Sequence, residues 1–241
     1  MITAGKTVLV TGANRGLGKA LVEEALKRGA KRVYAGTRQP LRHPDERVTP
    51  MTLDVTNAAH IQAAVEQVES LDVLINNAGV VAFDDLSDPA VLDQMMAVNF
   101  YGVRDVIQAL LPKLIESEGA IATSISVNAF APFPLVASYS VAKAAVFNLT
   151  QSLRAILAPR AVRLHAIMLG PMDTDMTDGF DIEKAAPELV AHNIFDGIEK
   201  GDEDIFPDPV SETLADGWRN GSGKGLEREY AAMYAQFAQQ G

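Results

Sequence analysis

A single-domain, doubly wound α/β fold, with a parallel sheet and helices on both faces, is predicted by three features of the chain. Short runs that are apolar on both faces alternate with helical patterns from the seventh residue onward, as parallel strands covered by helices require. A glycine-rich turn over residues 12–18 joins the first run to the first helical pattern. The remaining polar motifs fall at the ends of the runs, where open parallel sheets bind their ligands.

The strands are expected at 7–11, 32–37, 48–53, 72–76, 120–125 and 163–168, with a short edge strand at 203–206. Between them, Leu17, Leu21 and Ala25 recur at helical spacing, with Val22 and Leu26 widening the stripe and Gly29 ending it. Ile61, Val65 and Val68 give a helix over 56–69, and longer helices are predicted at 91–111 and 138–157. The end is less regular: a helix at 185–200, a break at Pro207-Asp208-Pro209, a further helical segment holding Trp218, a flexible stretch at 220–225 and an amphipathic helix at 226–237.

At 241 residues and 48% hydrophobic content, the chain suits one domain with a full core. Its cofactor half is placed at about residues 1–110, its catalytic and substrate half at about 111–205, and a helical tail at about 206–241. A net charge of −10 and a pI near 4.9 disfavour nucleic acid and anionic membranes as partners. There is no cysteine, which excludes disulfides and thiolate chemistry. His43, His60, His165 and His192 lack ligand spacing, so no metal is expected. No stretch is long enough to span a membrane and the first residues run straight into a strand, so a cytoplasmic protein is expected.

The turn reads Thr11-Gly12-Ala13-Asn14-Arg15-Gly16-Leu17-Gly18. Glycines permit close approach to a pyrophosphate, and the following helix start offers unpaired N–H groups and a positive dipole end. In NAD-binding domains an acidic residue at the end of the second strand holds the adenosine ribose. Here that region is Gly36-Thr37-Arg38-Gln39, with no carboxylate. Arg38 and Arg15 can instead pair with a 2′-phosphate, which favours NADP(H) over NAD(H). Asp54 and Val55, after the third strand, are candidates to meet the adenine edge.

A second constellation combines Tyr139 with Lys143, one helical turn on, Ser126 thirteen positions before the tyrosine, and Asn99. Reducing a carbonyl requires hydride at carbon and a proton at oxygen. A phenol can give that proton if its pKa falls toward the working pH, and a lysine on the same helix face can lower it. Taken alone, Tyr139 and Lys143 are equally an ordinary half-buried helix pair, and Asn99 a packing amide.

Together these residues resemble the short-chain dehydrogenase/reductase family, over about residues 6–176. TGxxxGxG stands at Thr11 to Gly18, NNAG at Asn76-Asn77-Ala78-Gly79, NxxG at Asn99 and Gly102, and YxxxK at Tyr139 and Lys143. The resemblance implies a Rossmann fold. It adds that Asn77, Ala78 and Gly79 border the cofactor and that Lys143 holds the nicotinamide ribose. Ser126 would bind the substrate oxygen, with Ser124, Ser138 and Ser140 as competing hydroxyls off the family spacing. Asn99 would hold a water that links Lys143 to solvent. The segment Leu169-Gly170-Pro171-Met172-Asp173-Thr174-Asp175-Met176 is similar to the family's PGxxxTxM, with Leu169 replacing proline. Gly170, Met172 and Thr174 would then orient the nicotinamide. The Asp173/Asp175 pair is read as loop carboxylates rather than a metal site.

The expected activity is reversible NADPH-dependent reduction of ketones or aldehydes. A non-catalytic NADP(H)-binding redox sensor is the alternative, and an epimerase or dehydratase fits the loop spacing less well. Residues 127–134, residues 80–83, Met176, Gly179, Phe180 and Ile182 supply apolar walls, so the expected substrate is a hydrophobic carbonyl compound or alcohol. A homodimer through the two long helices is expected, with a tetramer left open because the tail departs from the family's Gly-rich last strand. The apolar face of Leu226, Tyr230, Met233 and Phe237 is read as covering either the enzyme's own surface or a partner subunit.

Overall fold

The structure is a computed structural model that describes residues 1–39, 41–178 and 181–238. Its sheet has seven strands in the order β3-β2-β1-β4-β5-β6-β7: β1 Thr7–Thr11, β2 Arg32–Thr37, β3 Val48–Thr52, β4 Val73–Asn76, β5 Ala120–Ser124, β6 Arg163–Ile167 and β7 Asp204–Ile205. Every neighbouring pair is parallel. The chain builds outward from β1 to β3, returns to place β4 beside β1, and builds outward again. Strand order therefore reverses between β1 and β4, which opens a crevice at their carboxyl ends.

Alternation along each strand divides the core into two layers. Leu9, Leu74, Ile121 and Leu164 face α2 (Ala58–Gln67), α4 (Val103–Glu116) and α5 (Ala137–Leu157), meeting Ile61, Val106, Leu110 and Val146. Val8, Val10, Ile75 and Ile167 face α1 (Gly16–Lys27) and α6 (Pro187–Lys200), meeting Leu17, Leu21, Val190 and Ile194. Both faces of the central strands are buried, which is why their sequences read as unbroken apolar runs.

Two segments differ from the sequence expectation. The single helix expected at 91–111 begins earlier, as α3 (Pro89–Met96), and passes through a π-turn at Ala97–Gly102 into α4. The cause lies in Asn99, whose Nδ2 donates to Met95 O at 3.1 Å. That carbonyl is the i−4 acceptor an α-helix would give to the Asn99 backbone, and a side chain that takes it loosens the turn.

The stretch expected to be flexible, 220–225, instead opens a helix. After α7 (Pro209–Arg219), α8 runs over Ser222–Ala238. Lys224 is 2% exposed, and its Nζ meets Asp204, Glu203 and Glu227 at 2.7, 2.8 and 3.0 Å. Arg154 of α5 joins Asp204 at 2.8 Å and pairs with Glu227. Burial pushes the Asp204 carboxyl up, but Arg154 and Lys224 outweigh it and hold it below the usual carboxylate range. These paired charges tie the start of α8 to β7 and α5. The outer face of α8 does not cover the enzyme's own surface: Leu226, Tyr230, Met233 and Phe237 are all exposed. No helix among the described residues is long and apolar enough to cross a membrane.

Removing Asp204 leaves Lys224 and Arg154 paired with Glu203 and Glu227 but takes the acceptor from the Trp218 Nε1 donor. Asp204→Ala is expected to cost about 1–3 kcal/mol in a denaturant titration. A loss below about 1 kcal/mol would show that water replaces the carboxylate at no penalty.

Candidate active site

The crevice between β1 and β4 is a cleft of about 570 Å³ whose lining includes residues from the first loop, the end of β5, α5 and the segment after β6. Its floor is a clasp between two loops. Thr11 Oγ1 accepts from Asn77 N and Ala78 N, both at 3.0 Å. Asn77 Nδ2 in return donates to Thr11 O and Gly12 O at 3.1 and 3.3 Å. Gly12 has φ +67°, and a Cβ there would lie 2.9 Å from Ala78 Cα. A Cβ on Gly18 would overlap the Gly12 carbonyl oxygen. Only glycine lets the loop pass this close to the helix.

No side chain caps α1, whose N-cap residue is Arg15 in extended conformation. Its first-turn N–H groups therefore remain free of a side-chain acceptor beside the cleft, as an anionic ligand requires. Asn14, Gly16 and Leu17 line the cleft with Gly12 and Gly18. At the far end, Arg38 stands exposed after β2, and its charge helps lower the Asp54 carboxyl. The larger causes of that lowering are hydrogen bonds from Thr56 N and Oγ1. Asn14, Arg15, Arg38 and Gln39 also border a second, shallower recess beside this end. Arg15 is paired with Asp175 across the cleft mouth. Asp175 therefore has a cationic partner, and no group of metal-ligating side chains occurs among the described residues.

At the other end, the Ser126 hydroxyl stands beside the Tyr139 phenol and favours its ionised form. Ser126 Oγ also accepts from Asn128 N at 3.2 Å, which fixes its rotamer at the start of a 3₁₀ turn. Lys143 is 5% exposed. Its Nζ donates to Ser124 O at 2.7 Å and lies 5.5 Å from the Tyr139 ring centroid. Burial pushes the Tyr139 phenol up to about 12, with the Ser126 hydrogen bond opposing it. Burial also brings the Lys143 ammonium down to about 8. The phenol is thus raised, where the sequence pointed to a lowering by Lys143. The physical reason is burial, which penalises the phenolate more than the Ser126 hydroxyl favours it.

Asn99 is the one expected site residue outside the cleft lining. It is 1% exposed, and its carboxamide braces residue 80: Val80 N donates to Oδ1 at 3.2 Å and Nδ2 donates to Val80 O at 3.0 Å. The Val80 wall is thereby fixed to the π-turn. Asp54, Val55, Asn77, Ala78, Gly79, Gly170, Met172 and Thr174 all reach the cleft. Thr174 stands against Gly16, so the segment after β6 touches the first loop. Met172 pairs with Ala185 in a short parallel bridge. Apolar walls come from Val80, Val81, Phe83, Phe133, Met176 and Ile182. Phe130 turns away from the cleft and packs on Phe147 and Trp218, with centroids 5.5 and 4.8 Å apart. Gly179 and Phe180 lie outside the described residues.

Sequence reasoning missed two carboxylates. Asp84 accepts from Ser138 N at 3.0 Å and from the Ser138 hydroxyl, so it caps the helix that carries Tyr139 from a loop 54 residues upstream. Asp208 caps α7 and also accepts from Gly170 N at 2.8 Å. Asp208 had a local signal, an Asp-Pro pair before a helical pattern. Asp84 had none, because its helix is far along the chain.

The arrangement joins an uncapped helix end to two neighbouring hydroxyls and a buried ammonium, which suits a dinucleotide and a proton-coupled transfer. Residues 6–185 match the family model described as short chain dehydrogenase. An uncharacterized oxidoreductase of Staphylococcus epidermidis is 34% identical over 205 residues, covering 80% of this chain and 89% of its own. The 11-beta-hydroxysteroid dehydrogenase-like 3 protein of Arabidopsis thaliana is 31% identical, over 83% of this chain and 72% of its own. Among solved structures, a short chain dehydrogenase from Burkholderia cenocepacia J2315 in complex with NADP is 33% identical. It superposes with a TM-score of 0.87 over 95% of this chain and 98% of its own. With its parallel sheet, its glycine-lined cleft and this match over most of its length, the chain is an oxidoreductase of the short-chain dehydrogenase family.

Proposed function

We propose that the protein is an NADPH-dependent carbonyl reductase, reversible as an alcohol dehydrogenase, that acts in the cytoplasm on hydrophobic ketones or aldehydes. The observation that carries this reading is the convergence of Ser126, Tyr139 and the buried Lys143 in one cleft that begins at an uncapped helix end. The bound nucleotide supplies the hydride. The clasp of Thr11 and Asn77 and the glycines of the first loop would leave room for the pyrophosphate, and Arg38, with Arg15 on release from Asp175, would pair with the 2′-phosphate. The NADP-bound Burkholderia relative supports this cofactor choice.

Ser126 donates to the substrate oxygen and stabilises the charge that grows there. Tyr139 transfers its proton to that oxygen as the carbonyl carbon gains hydride, and the Lys143 ammonium stabilises the phenolate left behind. With the phenol pushed up to about 12, Tyr139 is neutral at ordinary pH, the form a proton donor needs. Val80, Val81, Phe83 and Phe133 favour an apolar body on the substrate, in keeping with the hydroxysteroid named for the Arabidopsis relative.

Tyr139→Phe removes the transferable proton and little else. We expect a loss of about 10²–10⁴-fold in NADPH oxidation with ketones, while NADPH binding by calorimetry stays within about twofold. Retained turnover would remove Tyr139 as the acid. Arg15→Ala and Arg38→Ala should each weaken NADPH about tenfold while NADH changes little, since each deletes a charge-assisted contact to the extra phosphate. Equal losses for both nucleotides would end the phosphate argument. The pH dependence follows from Lys143, held down to about 8. Reduction should be level near neutrality and fall as the ammonium deprotonates near that value. A reduction rate that climbs with pH across that range contradicts the assignment.

A further inference from the structure

We propose that Asp208 is a positioning residue for the reaction. Through the N-terminus of α7, it holds the Gly170–Met172 turn, and with it the nicotinamide end of the cleft. The proposal rests on the hydride-transfer reading above and extends it to the tail, whose Phe206-Pro207-Asp208-Pro209 departs from the family's usual ending.

The carboxylate is 2% exposed and fully engaged. Oδ1 accepts from Val210 N at 3.1 Å and Ser211 N at 2.9 Å, which satisfies the helix end. Oδ2 is turned the other way and accepts from the Ser211 hydroxyl and from Gly170 N, both at 2.8 Å. A helix cap needs only the first oxygen. The second reaches a turn 38 residues upstream that lines the active cleft. Gly170 is shaped to this approach, since a Cβ there would overlap Asp208 Oδ1. The residues either side of Gly170 are also tethered. Leu169 O accepts from Val127 N at 3.0 Å, next to Ser126, and Pro171 O accepts from Ala185 N at 3.1 Å. Without Asp208, the one amide between these two anchors is unpaired.

The cap is in turn fixed to the core. Phe206 stacks on Phe130 at 6.4 Å, Trp218 packs on Phe130 and Phe147, and Trp218 Nε1 donates to Asp204 at 2.8 Å. Phe147 lies one turn beyond Lys143 on α5. The tail therefore buttresses the catalytic helix, the loop after Ser126 and the turn at Gly170 within one chain.

Asp208→Asn separates the two roles. Oδ1 can keep the helix cap, while the amide nitrogen meets Gly170 N–H donor to donor. A flipped amide would face two helix N–H groups and is worse. Calorimetry would compare NADPH with 2′-phospho-ADP-ribose, which lacks nicotinamide, alongside kcat, KM and melting temperature. The wild type should favour NADPH. In Asp208→Asn that preference should shrink about fivefold, with 2′-phospho-ADP-ribose affinity unchanged, and kcat should fall about tenfold or more. Glu227→Gln, which loosens α8 away from the cleft, should lower the melting temperature without either effect. Should Asp208→Asn fail to fold, Gly170→Ala displaces the carboxylate from the other side and must give the same nicotinamide-selective loss. Asp208→Asn with its nicotinamide preference intact, or with equal losses for both ligands, would overturn the proposal. A wild type that reduces no carbonyl compound would sink the hydride-transfer reading alone, and the two binding curves would still decide the role of Asp208.

Discussion

The clasp between Thr11 and Asn77 is the constraint on which the rest of the site depends. Parallel strands β1 and β4 lie side by side, yet the chains leaving them must part to admit a ligand. Thr11 Oγ1 takes two backbone N–H groups from the opposite loop, and the Asn77 amide returns two donors to the first loop. Four hydrogen bonds thus satisfy backbone groups that the separated strands would otherwise leave unpaired. The two loops can diverge above the clasp because they are locked below it. Gly12 is needed where they come closest.

From that floor, each wall of the cleft is braced by a polar side chain facing away from the ligand. Asn99 holds residue 80 from behind. Asp84 caps the helix of Tyr139 and Lys143. Asp208 holds the turn at Gly170. Each brace joins segments far apart in sequence, so the apolar lining can remain apolar while its backbone is fixed by hydrogen bonds one layer back. Preorganised groups of this kind need not be reoriented during reaction. Lys143 belongs to both layers: its ammonium is anchored on the Ser124 carbonyl, and its ring contact places it under the phenol.

Much of this was legible in the sequence because the relevant physics is local. Strands β1, β2 and β6 start where their apolar runs start, since burial on both faces leaves a continuous signal. The loop from Gly12 to Gly18 was legible because it follows a strand end, whereas Asn77, Gly170, Met172 and Thr174 were legible only through the family motifs, and all of them line the cleft. What could not be read depends on contacts across the chain. The π-turn arises from one amide competing for a carbonyl. The order of residues 220–225 follows from Lys224 meeting three carboxylates, two of them twenty and more positions upstream. The raised phenol follows from its burial, which spacing on a helix does not determine.

The central claim is that this cleft moves hydride to a carbonyl carbon while Tyr139 protonates the oxygen. Incubating the enzyme with NADPH deuterated at the transferring carbon and a panel of apolar ketones tests it most directly, with the alcohol products read by mass spectrometry. One deuterium is expected at the carbinol carbon of at least one product. Tight NADPH binding with no deuterated alcohol from any ketone or aldehyde would contradict it and leave a nucleotide-binding protein without turnover.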